Sequence, residues 1–197
     1  FALSRVDARE NAWLADELHV AVFIEKLGSS RKGIFHLATG SARENKDGLV
    51  AEVVEKMNRA GKLTIGTGDG GNEVGFGKIF EQAREIVPMG KVCQCPERDG
   101  IVTGIATRYL LPAATSNWGA YGMMAGLALL SGDLSVLHRA EVEVELIAVC
   151  REMNCVDGGL GVARDYVDGI PARTNAAFVD ILATMVRNYT EAPARKF

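Results

Sequence analysis

The sequence lacks a long apolar run. No segment approaches the roughly 18 consecutive apolar residues that a membrane-spanning helix needs. Its most apolar stretch, residues 123–130, lies between glycines and is typical of a buried helix. The first residues also lack the apolar core of a secretory signal peptide. We therefore expect neither a membrane span nor a membrane partner.

An excess of basic residues is missing as well. The chain carries 22 Lys and Arg against 25 Asp and Glu, which gives a net charge of −3. Because nonspecific binding to nucleic acid requires a positive surface, this balance argues against a nucleic-acid partner. Internal repeats and low-complexity tracts are also absent from the sequence. With 197 residues, 48% of them hydrophobic, we expect a single α/β domain over residues 1–197.

Cysteine and histidine are scarce. The four cysteines lie at positions 93, 95, 150 and 155, in C-x-C and C-x4-C spacings that differ from those of common zinc sites. The three histidines, at positions 19, 36 and 138, are scattered along the chain. We interpret the cysteines as free thiols, which favours a reducing compartment.

Apolar runs of strand length alternate with segments of helical periodicity. Predicted strands cover residues 19–24, 62–66 and 109–114, and predicted helices cover residues 48–60, 72–87, 115–130, 139–153 and 175–188. This alternation indicates an α/β fold of three layers, in which helices cover both faces of a mostly parallel sheet. Pro112 places the third strand at an edge of the sheet or marks the strand's end, because proline cannot donate to a strand ladder.

Two strand-to-helix corners, residues 66–73 and 115–119, follow predicted strands. In open parallel sheets, ligands bind beyond the carboxyl ends of the strands. We therefore expect both corners to lie at one edge of the sheet and to face a shared cleft. The corner at 115–119 also offers side-chain oxygens that can cap the helix after it.

The first corner is part of a glycine-rich loop, residues 66–78, with six glycines. Glycine loses more backbone entropy on folding than any other residue, so such a cluster indicates close approach of the backbone to a ligand or another strand. The helix predicted over 72–87 would direct free N–H groups toward a negatively charged group.

Nucleotide binding is one interpretation of this loop. A phosphate loop of the G-x-x-x-x-G-K-[S/T] type would need glycine at 72 and Ser or Thr at 79, where the chain has Asn72 and Ile79. The dinucleotide pattern G-x-G-x-x-G does match at positions 66, 68 and 71. Asp69 and Glu73, however, would repel a pyrophosphate unless a metal lay between them.

The charged residues of the loop have both structural and functional interpretations. Asp69 can cap a helix, and Glu73 can complement a helix dipole in the first turn. Lys78 can be a solvated helix residue. Taken together with Asn72, they favour a polar site for a small charged molecule.

Residues 68–78, GDGGNEVGFGK, resemble the signature of the D-glutamate cyclase family, in its C-terminal-type domain. Residues 116–121, SNWGAY, match a second motif of the same family. Weaker similarities lie at residues 24–28, 156–158 and 167–169. The resemblance implies a lyase that converts D-glutamate to 5-oxo-D-proline with loss of water. It also implies a bacterial cytoplasmic protein, or the C-terminal part of a mitochondrial matrix enzyme in animals.

Two departures from the family limit what the resemblance implies. The family domain normally extends further at its N-terminus, so we expect this chain to lack a part of it. In the animal enzyme another domain precedes this one. The motifs are therefore a better guide to the location of the site than to its reaction.

The chemistry defines roles for the motif residues. An unprotonated α-amine must attack the γ-carboxyl carbon, and an oxygen must leave as water. We expect Glu73 or Asp69 to act as acid and base, with Lys78 or a divalent cation offsetting charge. The expected substrate-binding residues are Gly68, Gly70, Gly71, Asn72, Ser116, Asn117, Trp118 and Gly119.

Three further acids, Glu25, Asp157 and Asp168, lie in the weaker motifs, and we expect them to hold turns or cap elements, with lining of the pocket as the alternative. The alternative function is a non-catalytic regulatory domain that binds a small anion or a nucleotide. The expected partner is a small acidic amino acid. The sequence leaves the oligomeric state open, a homo-oligomer included, and no cofactor is certain.

Overall fold

The computed structural model describes residues 8–44 and 50–191, with the side chains of residues 8–12 left out. Backbone contacts divide the chain into two units, residues 1–116 and residues 117–197. The first unit contains α1 (Ala8–Glu17), β1 (Val20–Ile24), β2 (Phe35–His36), β3 (Ala42–Arg43), α2 (Val50–Arg59), β4 (Leu63–Gly68), a 3₁₀ helix (Phe76–Ile79), α3 (Phe80–Ile86) and β5 (Tyr109–Pro112).

The sheet of the first unit is parallel and has the strand order β1-β4-β5. This confirms the predicted α/β class with a parallel sheet. Ile24 pairs with Thr67, and Gly68 pairs with Pro112. All three strands therefore end at the same edge of the sheet. Strand β5 lies at the edge of the sheet order and ends at Pro112, as the proline predicted.

The core of this unit forms between β1 and the helices α1 and α2. Alternate residues Ala21 and Phe23 of β1 are buried. Four buried side chains of α2 have helical spacing, at positions 50, 53, 54 and 57. Each large apolar side chain buried in this way stabilises the fold by about 1.5–3 kcal/mol. The predicted helix at 48–60 is confirmed from Val50 onward; its first two positions, Leu49 included, lie outside the described residues.

The helix predicted over residues 72–87 is wrong in its first half. Helical structure begins only at the 3₁₀ helix, and the α-helix begins at Phe80. The cause is backbone conformation, since Gly71 has φ 87° and Gly75 has φ 115°. These angles do not occur in a right-handed helix. The expected helix N-terminus after Gly71 therefore does not exist.

The second unit is mainly helical. It contains α4 (Ser116–Ser131), a 3₁₀ helix (Leu134–Val136), α5 (Ala140–Glu152), β6 (Tyr166–Val167), β7 (Ile170–Pro171) and α6 (Ala172–Thr190). Ser116, the first residue of α4, belongs to the first unit. Strands β6 and β7 form a two-stranded antiparallel ribbon. The three helices predicted here are confirmed, although α6 is longer at both ends than predicted.

Helix α5 leaves much of its apolar surface exposed. Ile147 is buried, but Leu146 and Val149 are about half exposed. The other buried residue of this helix is Glu143, one turn before Ile147. Tyr121 and His138 hydrogen-bond its carboxyl group, which offsets the cost of removing it from water. Among the described helices of the chain, none has both the length and the apolar character to cross a membrane.

Candidate functional site

The parallel sheet brings three polar residues to one edge. Glu25 follows β1, Asp69 follows β4 and Ser116 follows β5 after a short turn. The backbone N–H of Ser116 donates to Asp69 Oδ2 at 3.1 Å, and the Ser116 hydroxyl donates to Glu25 Oε2. Asp69 therefore bonds the first residue of α4 rather than capping a helix that begins in its own loop. The first residue of the second motif thus meets the glycine loop.

Glu73 folds back onto the loop that precedes it. The Gly70 N–H donates to Glu73 Oε1 at 3.1 Å, and the Gly71 N–H donates to Oε2 at 2.8 Å. The side chain is only 2% exposed. Gly70 and Gly71 are two of the predicted substrate-binding residues. They instead hold the Glu73 carboxyl group in place, and each of its oxygens retains a second lone pair.

The segment after β1 fastens the loop from the other side. The Val74 N–H donates to the Lys26 carbonyl at 2.7 Å, and the Gly28 N–H donates to the Asn72 carbonyl at 2.9 Å. The weak motif at residues 24–28 therefore has a structural role, because its backbone hydrogen-bonds to the glycine loop. Glu25 in this motif has a positive φ of 50°, which agrees with the expected place in a turn, and its side chain also accepts a hydrogen bond from Ser116.

The carboxyl groups of Glu25, Asp69 and Glu73 form one cluster. Each offers an oxygen that lies within 4.8 Å of the other two. Burial, together with repulsion from Glu25 and Asp69, raises the pKa of Glu73 to about 7. Glu25 and Asp69 are exposed, whereas Glu73 is buried. The cluster thus contains one carboxyl group that can gain or lose a proton near neutral pH.

Asn72 adds a buried acceptor beside this cluster. Its Nδ2 donates to the His36 carbonyl at 2.9 Å, which fixes the orientation of the amide. Among the described residues, its Oδ1 has no hydrogen-bond partner, although Asn72 is 3% exposed. A buried acceptor without a donor is costly, so this oxygen is suited to receive an N–H group from a ligand.

The loop glycines make room for these oxygens. A Cβ atom at Gly70 would lie 2.7 Å from Asn72 Oδ1 and 2.9 Å from Glu73 Oε1. A Cβ atom at Gly68 would lie 2.7 Å from Glu73 Oε2. Gly68 and Gly70 are therefore needed because Glu73 and Asn72 pack directly against the backbone.

Lys78 lies apart from these contacts. It is exposed on the 3₁₀ helix, and within residues 8–44 and 50–191 its side chain forms no hydrogen bond or ion pair. Its role in offsetting charge stays a prediction. A side chain of this length and freedom can change conformation when an anion binds.

The rest of the second motif belongs to the second unit. Asn117 Nδ2 donates to the Tyr121 hydroxyl at 3.4 Å. The Trp118 indole donates to Asn175 Oδ1 at 2.7 Å and stacks on Phe178 with ring centroids 4.3 Å apart. Gly119 is buried in helix α4. Their substrate-binding roles stay predictions.

The comparison with protein families decides how these motifs are classified. The model of the family described as D-glutamate cyclase-like, C-terminal, matches residues 2–183. The chain belongs to this family. Human mitochondrial D-glutamate cyclase is 30% identical over 113 residues, which cover 55% of this chain and 17% of the human protein. The match to the human relative therefore spans only a small part of that protein.

Both main motifs of this D-glutamate cyclase-like chain lie inside the matched range. The weaker motif at residues 156–158 has a structural role, since Asp157 accepts the Leu160 N–H at 2.7 Å and the Gly169 N–H at 3.1 Å. This agrees with the expectation that Asp157 holds a turn. Asp168 has a positive φ of 49°, which also places it in a turn.

Asn175 of the D-glutamate cyclase-like chain provides a test of the second motif's packing. It is fully buried, accepts from Trp118, and donates to the Ile170 and Pro171 carbonyls at 3.1 and 3.3 Å. Asn175→Ala is expected to lower the free energy of unfolding by about 1–3 kcal/mol, because it leaves these groups without partners. Urea denaturation measures the effect, with exposed Asn188→Ala in the same helix as control. Equal urea midpoints for both variants would show that the contact between Asn175 and Trp118 contributes nothing to stability.

Sequence reasoning missed a buried polar group in the second unit, formed by Glu143, Tyr121 and His138. Glu143 is 2% exposed, and it is bonded by the Tyr121 hydroxyl and by His138 Nε2 at 2.7 Å. Burial and the bond to Glu143 raise the pKa of Tyr121. These residues line a groove of about 360 Å³ that Asn117 also borders. The spacing of apolar residues could not reveal this group, because a glutamate in an amphipathic helix is expected to face solvent.

Sequence reasoning also missed a group of potential metal ligands in the first unit. His36, Cys93 and Cys95 are buried, and each offers a ligand atom within 4.8 Å of the other two. Burial lowers the pKa of His36, so its ring is neutral near pH 7. The short C-x-C spacing could not reveal this group, because its histidine comes from a distant segment.

Proposed function

We propose that this chain carries a D-glutamate cyclase-like lyase site that converts D-glutamate to 5-oxo-D-proline with loss of water. The observation that supports the proposal is Glu73, a buried carboxyl group of the family motif whose pKa lies near 7. A group with this pKa can accept and return a proton at neutral pH.

The reaction begins with deprotonation of the substrate. The α-ammonium group gives one proton to the Glu73 carboxylate, while Asn72 Oδ1 and Asp69 accept its other N–H groups. The free amine then attacks the γ-carboxyl carbon, and a C–N bond forms. One γ-oxygen leaves as the C–O bond breaks. It takes the proton held by Glu73 and a second proton from the nitrogen, so the products are the lactam and one water molecule.

Negative charge in this site must be offset, because the substrate carries two carboxylates and the site carries three. Lys78 is proposed to supply part of the positive charge. A divalent cation at Glu25, Asp69 and Glu73 is the second candidate, since carboxylate oxygens suit hard cations. Assays before and after chelation, with Mg²⁺ or Mn²⁺ restored, separate these two sources of charge.

The second candidate function is a non-catalytic domain that binds a small anion or a nucleotide through the same loop. This function is favoured because the match covers only 17% of the human relative, and the activity of that protein can depend on its other parts. The compartment that we propose is the bacterial cytoplasm or the mitochondrial matrix.

A direct assay tests the proposed function. The purified chain is incubated with D-glutamate or L-glutamate, and 5-oxoproline is measured by chiral chromatography with mass spectrometry. Formation of 5-oxo-D-proline supports the lyase. Thermal stabilisation by D-glutamate without turnover would support the non-catalytic domain, and stabilisation by a nucleotide alone would support nucleotide binding.

A further inference from the structure

The ligand group in the first unit lies outside the carboxyl cluster and has no role in the proposed reaction. The Cys93 and Cys95 sulfur atoms are 2.7 Å apart, and His36 Nε2 lies 3.3 Å from Cys95 Sγ. All three residues are at most 5% exposed. Their lone pairs therefore converge on one buried region rather than facing solvent.

We propose that His36, Cys93 and Cys95 form a binding site for one Zn²⁺ ion. Thiolate and imidazole are the ligands that zinc prefers, and hard cations such as Mg²⁺ prefer oxygen. Two protein thiolates and one neutral imidazole are also a known ligand set for zinc with a fourth, open position. Water is the expected fourth ligand, because the group contains three protein ligands within the described residues.

Charge balance favours a divalent ion over a monovalent one. Binding converts two thiols to thiolates and releases two protons, while the imidazole stays neutral. Zn²⁺ with two thiolates gives a complex without net charge. Cu⁺ with the same ligands would leave one negative charge in a buried place, which is costly. The burial of the site therefore selects the neutral complex.

The simpler interpretation is that the cysteines only fill the core. Cys93 and Cys95 do pack with Ile101 and with half-buried Ile34, and free cysteine behaves as a small apolar side chain. In that interpretation the contact between His36 Nε2 and Cys95 Sγ is a hydrogen bond inside the core, but His36 Nδ1 is then left buried without a hydrogen-bond partner among the described residues. The sulfur separation also exceeds the roughly 2.05 Å of a disulfide bond. Zinc with Zn–S bonds of about 2.3 Å requires the sulfur atoms to separate further, by about 1 Å.

A zinc ion here would hold together segments that support the carboxyl cluster. The His36 carbonyl accepts from Asn72 Nδ2, and the Gln94 N–H donates to the Gly40 carbonyl at 2.9 Å. The ion would connect the strand that contains His36 to the loop that contains both cysteines. Asn72 would then be positioned beside Glu73 through a metal-anchored segment.

Metal binding by the reduced 197-residue chain tests the site. The chain is titrated with Zn²⁺ and, separately, with Co²⁺, whose absorption reports thiolate ligands and tetrahedral geometry. One ion per chain, a sulfur-to-cobalt charge-transfer band and about two protons released per zinc ion are expected. Zinc at about 100 times its Kd should raise Tm by roughly 5–10 °C.

Serine variants locate the site. Cys93→Ser and Cys95→Ser should each weaken zinc binding by about 100-fold or more, since even outer-shell changes cost 10–100-fold. The double variant of Cys150 and Cys155 is the matched control and should bind zinc like the wild type. These two cysteines lie in the second unit.

Three results would overturn the proposal. They are a reduced wild-type chain that binds neither ion, cobalt spectra without thiolate bands, and loss of binding only in the Cys150 and Cys155 control. The cobalt spectrum and the proton release use the wild-type chain, so they decide the matter even where a serine variant does not fold. None of these measurements depends on turnover, so their failure is separate from failure of the proposed function.

Discussion

Replacing Glu73 with Gln is expected to reduce formation of 5-oxoproline from D-glutamate by about 10²–10⁴-fold, the usual contribution of a positioned acid or base. Gln keeps the size of the side chain and one acceptor for the Gly70 and Gly71 N–H groups, but it cannot carry a proton between substrate and leaving group. The measurement is kcat/KM for D-glutamate. A variant that retained wild-type turnover would remove Glu73 from the mechanism.

The same variant should change the dependence of activity on pH. Glu73 must be ionised to accept the first proton, so kcat/KM of the wild type should rise with pH through about 7. Any residual turnover of Glu73→Gln should lack this rise. Exposed Glu145→Gln in α5 is the matched control, and it should retain both the rate and the pH profile of the wild type.

Stability provides an independent measure of the Glu73 pKa. The folded pKa of about 7 exceeds the ordinary value of 4.5, so the folded state binds the proton more tightly than the unfolded state does. Wild-type stability from this group is therefore greatest at low pH and is lost as pH rises from about 4.5 to about 7, by about 3 kcal/mol. Relative to the wild type, Glu73→Gln should become more stable over this interval. A constant difference would show that the carboxyl group titrates normally.

Replacing Gly66 with Ala is expected to destabilise the first unit by about 3 kcal/mol or more. The new Cβ atom would lie 2.2 Å from the Val74 carbonyl oxygen and 2.9 Å from Gly75 Cα. Neither backbone atom can easily retreat, because the Val74 and Gly75 N–H groups are bonded to the carbonyls of Lys26 and Ile105. Gly66 itself lies in the central strand between β1 and β5.

A second glycine substitution is the control for this effect. Gly122 lies in helix α4, and a Cβ atom there would meet no heavy atom within 4 Å. Gly122→Ala should therefore raise stability by about 0.5–1 kcal/mol through helix propensity. Urea denaturation of both variants gives the comparison. If Gly66→Ala unfolded at the same urea concentration as the wild type, the close packing of the loop against β4 would be disproved.

The three strands of the parallel sheet could be predicted from sequence because each is a short, mainly apolar run bounded by turns, whereas the two-residue strands β2 and β3 were not predicted. Residues 19–24 and 62–66 correspond to β1 and β4 within two residues at each end. Pro112 marked the end of β5 for a reason that is local to proline. The parallel arrangement then followed from alternation with helices, and it brought Glu25, Asp69 and Ser116 to the same edge.

The start of α3 could not be predicted in the same way. Residues 72–79 contain apolar residues at helical spacing, but Gly71 and Gly75 adopt positive φ angles because their backbone packs against other segments. Thr107 Oγ1 and Leu110 Cδ1, for example, lie within 3.0 Å of the position that a Cβ atom of Gly75 would occupy. The spacing of apolar residues contains no information about such contacts.

By itself the sequence determined the α/β class, the family and the motif residues, because periodicity, turn chemistry and motif identity depend on neighbouring positions. Only the tertiary structure decided that Glu73 is buried between two other acids, that Glu143 is bonded by Tyr121 and His138, and that His36 lies beside Cys95. These features join residues that are distant in the chain. Their pKa values and ligand geometry follow from burial and proximity, which exist only after the chain has packed.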